Sequence, residues 1–283
     1  MGAVMRRVMA AIVAAGLSVG VLAAPATAAE FADFGTPSAT GSFGQDIVFR
    51  QPVTVDGPID HVELLVTFAN GPGPTVIPVG RPSGSGSIEL TYTLPVADEG
   101  HILPNTPIRA RWRIAATGPG GAGGALDVVV GPEVSLVYAD ERFDWKTASG
   151  DIARVHWYEG GDAFGQRALA IGEDGVEQAA TLLGVDETTP VDFFIYADQT
   201  AFYDALGPGT RENVGGQADA EIRTLFALIT PAEIDDTWVE IVIPHELTHL
   251  VFDTAVHNPY HFPPRWLNAV SYTHLTLPTI LLV

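Results

Sequence analysis

The sequence contains no cysteine and few basic residues. Without cysteine, neither disulfides nor thiolate ligands are available, so any bound metal must be held by histidine, aspartate or glutamate. The 14 lysines and arginines stand against 34 aspartates and glutamates, which gives a formal net charge of −20 at pH 7. A surface this acidic repels nucleic acids and anionic lipids. We therefore expect no nucleic-acid partner and interpret the acidity as a means of staying soluble outside the cell.

Long apolar runs are also rare, and the longest begins near the N-terminus. Arg6 and Arg7 precede the apolar run 8–24, and residues 26–28 read Ala-Thr-Ala, which is an A-x-A cleavage site. Glycine and serine interrupt the run, which disfavours a membrane-spanning anchor. We predict a secretory signal peptide at residues 1–28, a secreted, extracellular protein, and no membrane insertion after cleavage.

The next region, residues 30–139, has the pattern of half-buried strands. Residues 88–94 and 108–114 each alternate apolar with polar side chains, and breakers rich in glycine and proline separate such runs. This pattern predicts an antiparallel β-sandwich of the immunoglobulin-like type over residues 30–139. His61 and His101 are isolated within it, and we expect structural or solvent-facing roles for both.

From residue 140 the pattern changes to strands mixed with helices, which predicts a second, α+β domain over residues 140–268. Asp198 is a plausible N-cap for a short helix, and Gly207 fits the position just past its end. The predicted elements are a strand at 152–159, a helix at 163–183, a buried strand at 191–197, a helix at 198–206 and a strand at 221–230.

A further predicted helix, beginning near Thr237, carries the stretch VIPHELTHLVF. Pro244 lies inside it, where it removes one backbone hydrogen bond, so we expect a kink just ahead of His245. Residues four apart on a helix project from one face, so His245 and His249 can bind one metal ion. Glu246 flanks that face and can reach a metal-bound water rather than the metal itself.

Zn²⁺ is the ion that suits this arrangement. Zinc lowers the pKa of bound water from about 15.7 to about 7 and polarises a carbonyl under attack. Glu246 would then accept the proton as general base. The same activated water serves other carbonyl substrates, so the motif alone leaves open a hydrolase of some non-peptide bond.

The stretch VIPHELTHLVF, followed by PPRWLN, resembles the gluzincin clan of zinc peptidases, and most closely the bacterial families described as peptidase MA-like. The resemblance implies a β-sandwich ahead of a zincin-like peptidase domain that acts on peptide or protein substrates. It also implies that residues 221–230 form the edge strand with which an extended substrate pairs. An ordinary strand inside the sheet is an equally good interpretation of that segment.

Two neighbouring families do not fit the residues. Metzincins extend the motif with glycine and a third histidine, but those positions here are Phe252 and Ala255. Gluzincin aminopeptidases carry a G-A-M-E-N-type stretch, whereas residues 215–219 read GGQAD and lack its glutamate. Aminopeptidase activity is therefore not supported, although Asp219 leaves it open.

The third zinc ligand is missing from the pattern. In gluzincins it is a glutamate, usually within W-L-N-E-G, and the corresponding residue here is Ala269. His257 and His261 could replace it, but they lie in a loop punctuated by prolines. The stretch SYTHLTLPTI resembles a peptide found at the ends of many unrelated metagenomic sequences, so we predict that residues 269–283 are a non-native tail and that the peptidase domain is C-terminally incomplete.

The sequence thus favours a secreted zinc-dependent metallopeptidase with His245 and His249 as zinc ligands and Glu246 as general base. We expect the source gene to encode glutamate at codon 269. With two histidine ligands, the chain should bind zinc weakly and show little peptidase activity, because a catalytic zinc normally has three protein ligands. The alternative is a non-catalytic extracellular binding protein that kept the peptidase fold.

Overall fold

The computed structural model describes residues 31–256, apart from residues 70, 72, 83–85, 118–125 and 209–214. The predicted signal peptide, the PPRWLN stretch, His257, His261 and the predicted tail lie outside the described residues. In the described part of the chain, no helix is long and apolar enough to cross a membrane.

The described residues before 140 form strands arranged in two antiparallel sheets. The strands are β1 (Ala32–Phe34), β2 (Ser38–Ser42), β3 (Asp46–Val55), β4 (Ile59–Phe68), β5 (Thr75–Gly80), β6 (Gly86–Pro95), β7 (Thr106–Thr117), β8 (Leu126–Val130) and β9 (Val134–Tyr138). In the first sheet β3 pairs with β6 on one side and with β1 and β2 on the other. In the second sheet the order is β5-β4-β7, and β8 and β9 share the far side of β7.

The alternation of the strands builds one core between these two sheets. On β7 the odd and even positions separate as predicted: Trp112 is fully buried, whereas Arg111 is exposed. Buried side chains of both sheets belong to one apolar cluster; examples are Ile47, Phe49, Leu64, Val66, Leu90, Leu94, Ile108, Trp112 and Ile114. The β-rich N-terminal part is confirmed, and the immunoglobulin-like subtype stays a prediction.

After residue 140 the chain forms a mixed sheet with helices. The elements are β10 (Lys146–Ser149), β11 (Ala153–Trp157), α1 (Asp162–Leu183), β12 (Val191–Tyr196), α2 (Gln199–Leu206), β13 (Gly216–Asp219), β14 (Thr224–Leu228) and α3 (Thr237–Val256). The sheet order is β10-β11-β12-β14-β13, with β11, β12 and β14 parallel and the two outer strands antiparallel to their neighbours. The predicted helices at 163–183 and 198–206 are confirmed, and Asp198 caps α2 by accepting from Ala201 N.

Of the two interpretations of residues 221–230, the ordinary strand inside the sheet is confirmed and the edge strand is wrong. The family resemblance implies that residues 221–230 form the edge strand, but β14 lies between β12 and β13, and β13 is the edge. Four of the five residues of β14 are buried, which is typical of a strand covered on both faces. β13 is short and only partly buried, as edge strands often are.

The two faces of the mixed sheet have different coverings. On one face α1 and α3 pack against buried side chains that include Trp157, Phe193 and Leu225. On the other face Tyr196 and Phe226 pack with α2 in a separate cluster. The face covered by α1 and α3 therefore carries the helix with the His-Glu-Leu-Thr-His sequence.

Side chains from the N-terminal sheets reach the second part of the chain. Asn105 Nδ2 donates to Asp192 Oδ2 at 3.0 Å and to Thr224 Oγ1 at 2.9 Å. His101 Nε2 lies 2.8 Å from the carbonyl oxygen of Ala205. His61 is half-exposed and pairs with its neighbour Asp60. The expected structural or solvent-facing roles of His101 and His61 are thus confirmed.

Candidate metal centre

Helix α3 presents its polar side chains at a defined place because one of its faces is apolar and buried. Ile243, Leu247 and Leu250 are completely buried against the sheet and α1. The helix runs without interruption through Pro244. Thr248 Oγ1 is buried and donates to the Pro244 carbonyl at 2.7 Å, which satisfies this hydroxyl inside the fold.

The three predicted site residues come together on the remaining face of α3. One possible ligand atom from each of His245, Glu246 and His249 can be chosen so that all three lie within 4.8 Å of one another. The two imidazole centroids are 5.3 Å apart, with their planes at 77°. His245 Nε2 and Glu246 Oε1 are 3.9 Å apart, and the side chains of these two residues are 26% and 17% exposed. The spacing prediction for these residues is therefore realised in the fold.

Strand β13 lies directly beside this group. Ala218 N donates to Glu246 Oε2 at 3.2 Å, so one backbone group of the edge strand points away from β14 and toward the site. A Cβ at Gly216 would lie 3.2 Å from Glu246 Cγ, closer than nearly all real contacts of this kind. The absence of a side chain at Gly216 thus allows the strand and the helix to approach. Asp219 Oδ1 accepts from Ile222 N at 3.2 Å within the β13–β14 turn.

Burial shifts the pKa of two of the three groups toward their neutral forms. It lowers the pKa of the His245 imidazole, and His249 nearby adds to that effect. A neutral imidazole is the form that binds a metal. Burial raises the pKa of the Glu246 carboxyl, which His249 and the hydrogen bond from Ala218 only partly offset. A carboxylate with a raised pKa is a stronger base than an ordinary one.

The two histidines are suitable ligands for zinc. Within the described residues, these three residues form the one group of histidines and acids close enough to hold a metal ion. Two imidazole nitrogens are typical zinc ligands, and a catalytic site normally has a third protein ligand. The position where the sequence predicts it, residue 269, lies outside the described residues.

The sequence did not indicate the contact between β13 and Glu246. The stretch GGQAD stands out only by its departure from the aminopeptidase pattern, and its residues predict no strand. Its paired glycines are the available signal, because an edge strand that touches a helix needs a position without a side chain.

An HExxH helix is typical of metallopeptidases, and here it lies against the edge strand of a mixed sheet. Residues 171–274 match the family model of the Peptidase MA superfamily. This segment of the chain is thus of the peptidase MA type, and the resemblance of its motif to the gluzincins is confirmed. The match ends within the segment 269–283 that the sequence predicts to be non-native.

Comparison with other proteins adds one distant likeness. The chain is similar to an aminopeptidase N family protein from Idiomarina loihiensis, with 8% identity and a TM-score of 0.32, over 74% of this chain and 46% of that chain. The chain therefore spans less than half the length of that protein. No curated protein sequence matches the chain.

Proposed function

We propose that the protein is an exported zinc-dependent peptidase that hydrolyses peptide bonds. The observation that carries this proposal is the convergence of His245, Glu246 and His249 beside the edge strand β13. The peptidase MA-type segment that contains these residues supports it.

In this proposal the two histidines bind zinc and Glu246 transfers protons. His245 and His249 would hold the zinc ion through ring nitrogens. Zinc bound there supplies Lewis acidity, which acidifies water and polarises a peptide carbonyl. Glu246 takes a proton from the attacking water and delivers it to the leaving amine. Its raised pKa suits both steps, because the carboxyl must first accept the proton and then release it.

The edge strand gives the substrate a place to bind. An extended peptide can add to the open side of β13 by hydrogen bonding to the main-chain groups that Glu246 does not occupy, as in other cases of strand addition. Gly216 and Ala218 of this strand both approach Glu246. A peptide on β13 would consequently have its scissile bond beside the catalytic carboxylate. The substrate strand predicted at residues 221–230 is thereby reassigned to β13.

The location and the partners follow from the sequence. The signal peptide expected at residues 1–28 supports export and an extracellular site of action. The acidic surface supports peptide or protein substrates rather than nucleic acid.

The test begins by sequencing the source gene across codon 269, where we expect glutamate. The substitution Glu246→Gln is then made in the protein that this gene encodes. The introduced amide keeps a hydrogen-bond acceptor for Ala218 N but cannot take up the proton. Peptide turnover should fall by about 10²–10⁴-fold, while zinc content stays near that of the parent.

The matched control is Glu177→Gln, which removes the same charge from the exposed surface of α1 and should leave turnover unchanged. Turnover that survives Glu246→Gln would remove Glu246 from its role. A parent protein that binds peptides but hydrolyses none would favour the non-catalytic binding protein.

A further inference from the structure

A cavity of about 550 Å³ opens between α2 and the first turns of α3. We call it the α2–α3 pocket. Its walls include Tyr203, Thr230, Glu233, Trp238 and Val242. Neither the sequence motif nor the family match assigns it a role.

The pocket adjoins the catalytic group. Val242 precedes Glu246 by about one helical turn, so the backbone positions of the two residues are about 6 Å apart along the helix axis. Gly215, which also lines the pocket, immediately precedes β13. An extended chain advances about 3.3 Å per residue. A peptide paired with β13 would therefore place in the pocket a side chain within two residues of the scissile bond.

The pocket holds one carboxylate in a fixed orientation. Glu233 Oε2 accepts from Thr230 N at 2.9 Å and from Thr230 Oγ1 at 2.6 Å. Glu233 N in turn donates to Thr230 O at 3.0 Å, so the turn that carries the carboxylate is closed by several hydrogen bonds. Such anchoring leaves the second carboxylate oxygen, Oε1, as an oriented acceptor.

This carboxylate has no cationic partner among the described residues, although several arginines of the same part of the chain are paired. Arg142, Arg154 and Arg223 each form an ion pair with a buried or half-buried acid. None of the residues that line the pocket is basic. Glu233 is thus the charged group of the pocket, and the described part of the chain does not neutralise it.

The other walls favour a cation with an apolar stem. Trp238 and Tyr203 supply aromatic faces, and a guanidinium or ammonium group is attracted to such a face. Leu228 and Val242 supply apolar surface that can cover the methylene groups of arginine or lysine. The net charge of −20 also draws basic peptides toward the protein.

We infer that the α2–α3 pocket binds a basic side chain of the substrate, arginine or lysine, within two residues of the scissile bond, and that Glu233 determines this preference. This inference rests on the proposed peptidase function for the meaning of the site. The binding itself can be measured without turnover.

The test uses capped alanine-based hexapeptides that carry arginine, its neutral isostere citrulline, leucine or glutamate at one position. Their affinities for the zinc-loaded protein with Glu246→Gln are measured by titration calorimetry. The arginine peptide should bind roughly tenfold or more tightly than its citrulline twin, because a charge-assisted hydrogen bond replaces a neutral one. Leucine should also bind more weakly than arginine, and glutamate should bind weakest.

Adding Glu233→Gln should remove the preference for arginine over citrulline, because the group that faces the pocket is then neither charged nor an acceptor. The introduced amide oxygen can still accept from Thr230, so the turn is preserved. Glu177→Gln in the same background is the charge-matched control and should keep the preference.

Equal affinity for arginine and citrulline would overturn the inference, and that comparison needs no change at Glu233. A preference for leucine would show an apolar pocket instead, and a preference that survives Glu233→Gln would also contradict the proposal. Failure of the proposed peptidase function would appear separately, as absent hydrolysis in the source-gene product while binding still depends on Glu233.

Discussion

The Glu246 carboxylate is held largely away from solvent, with 17% of its side chain exposed. Its hydrogen bond from Ala218 and the nearby His249 do not outweigh the burial, so its pKa is raised. An ionised group in this position destabilises the folded protein at neutral pH, which is common for groups that must react.

Because the ionised Glu246 carboxylate destabilises the fold, Glu246→Gln should have a pH-dependent effect on stability. A carboxyl whose pKa is raised by folding stabilises the fold below its unfolded pKa, and that contribution is lost as the pH rises through the folded pKa. In metal-free protein the variant should therefore unfold at a higher temperature than the parent at pH 7. A gain of one kcal/mol corresponds to roughly 2–4 °C in a chain of this size.

Thermal unfolding followed by circular dichroism at several pH values measures the difference. The difference should shrink as the pH falls toward the ordinary carboxyl range, where Glu246 is protonated. A variant that is less stable than the parent at pH 7 would show that the hydrogen bond from Ala218 outweighs the burial.

Among the residues of the site, the sequence predicts the three on helix α3 but not Ala218, their neighbour on strand β13. His245, Glu246 and His249 were found because the helical repeat alone places them on one face. Ala218 was missed because its contact with Glu246 depends on how the chain folds back between them, and a local pattern carries no such information.

Helices α1 and α3 meet at a glycine. A Cβ at Gly175 of α1 would lie 2.9 Å from Leu247 Cδ1 and 3.2 Å from Pro244 Cα. Both of these residues flank the His245–Glu246 pair in sequence. The position of the turn that carries His245 and Glu246 thus depends on the close approach of the two helices.

Gly175→Ala should push α3 away from α1 at this turn. We expect a loss of about 1–3 kcal/mol in the free energy of unfolding, typical of overpacking, together with weaker zinc binding. The matched control is Gly172→Ala, where the new Cβ would make ordinary contacts of 3.4 Å with Ala153 and 3.8 Å with Phe193. Urea unfolding and a zinc titration of both variants check this, and equal behaviour of the two would contradict it.

The elements themselves were mostly predictable, because α1 and α2 combine an apolar face with glycines just past their ends, Gly184 and Gly207. The place of each strand in the sheet was not. The sequence predicted a strand at residues 221–230 but left open whether it lies at the edge or inside the sheet, because strand order is decided by crossovers between distant segments.

At the scale of the whole molecule, Asn105 connects the N-terminal sheets to the mixed sheet. It has a positive φ of 67° and donates to Asp192 and Thr224. Burial opposes ionisation of Asp192, but hydrogen bonds from His156, Asn105 and Arg154 outweigh it and hold the pKa of this carboxyl below its usual range. Asp192 therefore stabilises the fold above the ordinary carboxyl pKa, and this contribution is lost as the pH falls through its lowered value.

Asn105→Gly keeps the left-handed backbone and removes both hydrogen bonds to the mixed sheet. We expect a loss of about 1–3 kcal/mol at pH 7, because a buried carboxylate loses a donor. Asn105→Ala should lose more, since alanine is strained at this φ. Urea unfolding at pH 7 measures both, and a glycine variant as stable as the parent would show that the contact does not couple the two parts.

His245 and His249 are proposed to form a zinc site with Glu246 beside the metal. This site is tested most directly by titrating the metal-free chain with zinc against a chromophoric chelator at neutral pH. We predict one weak site per chain that His249→Gln abolishes, and that Glu246→Gln and the control His61→Gln, on strand β4, retain. A chain that binds no zinc, or one that binds it equally well after His249→Gln, would show that His245 and His249 do not form a zinc site.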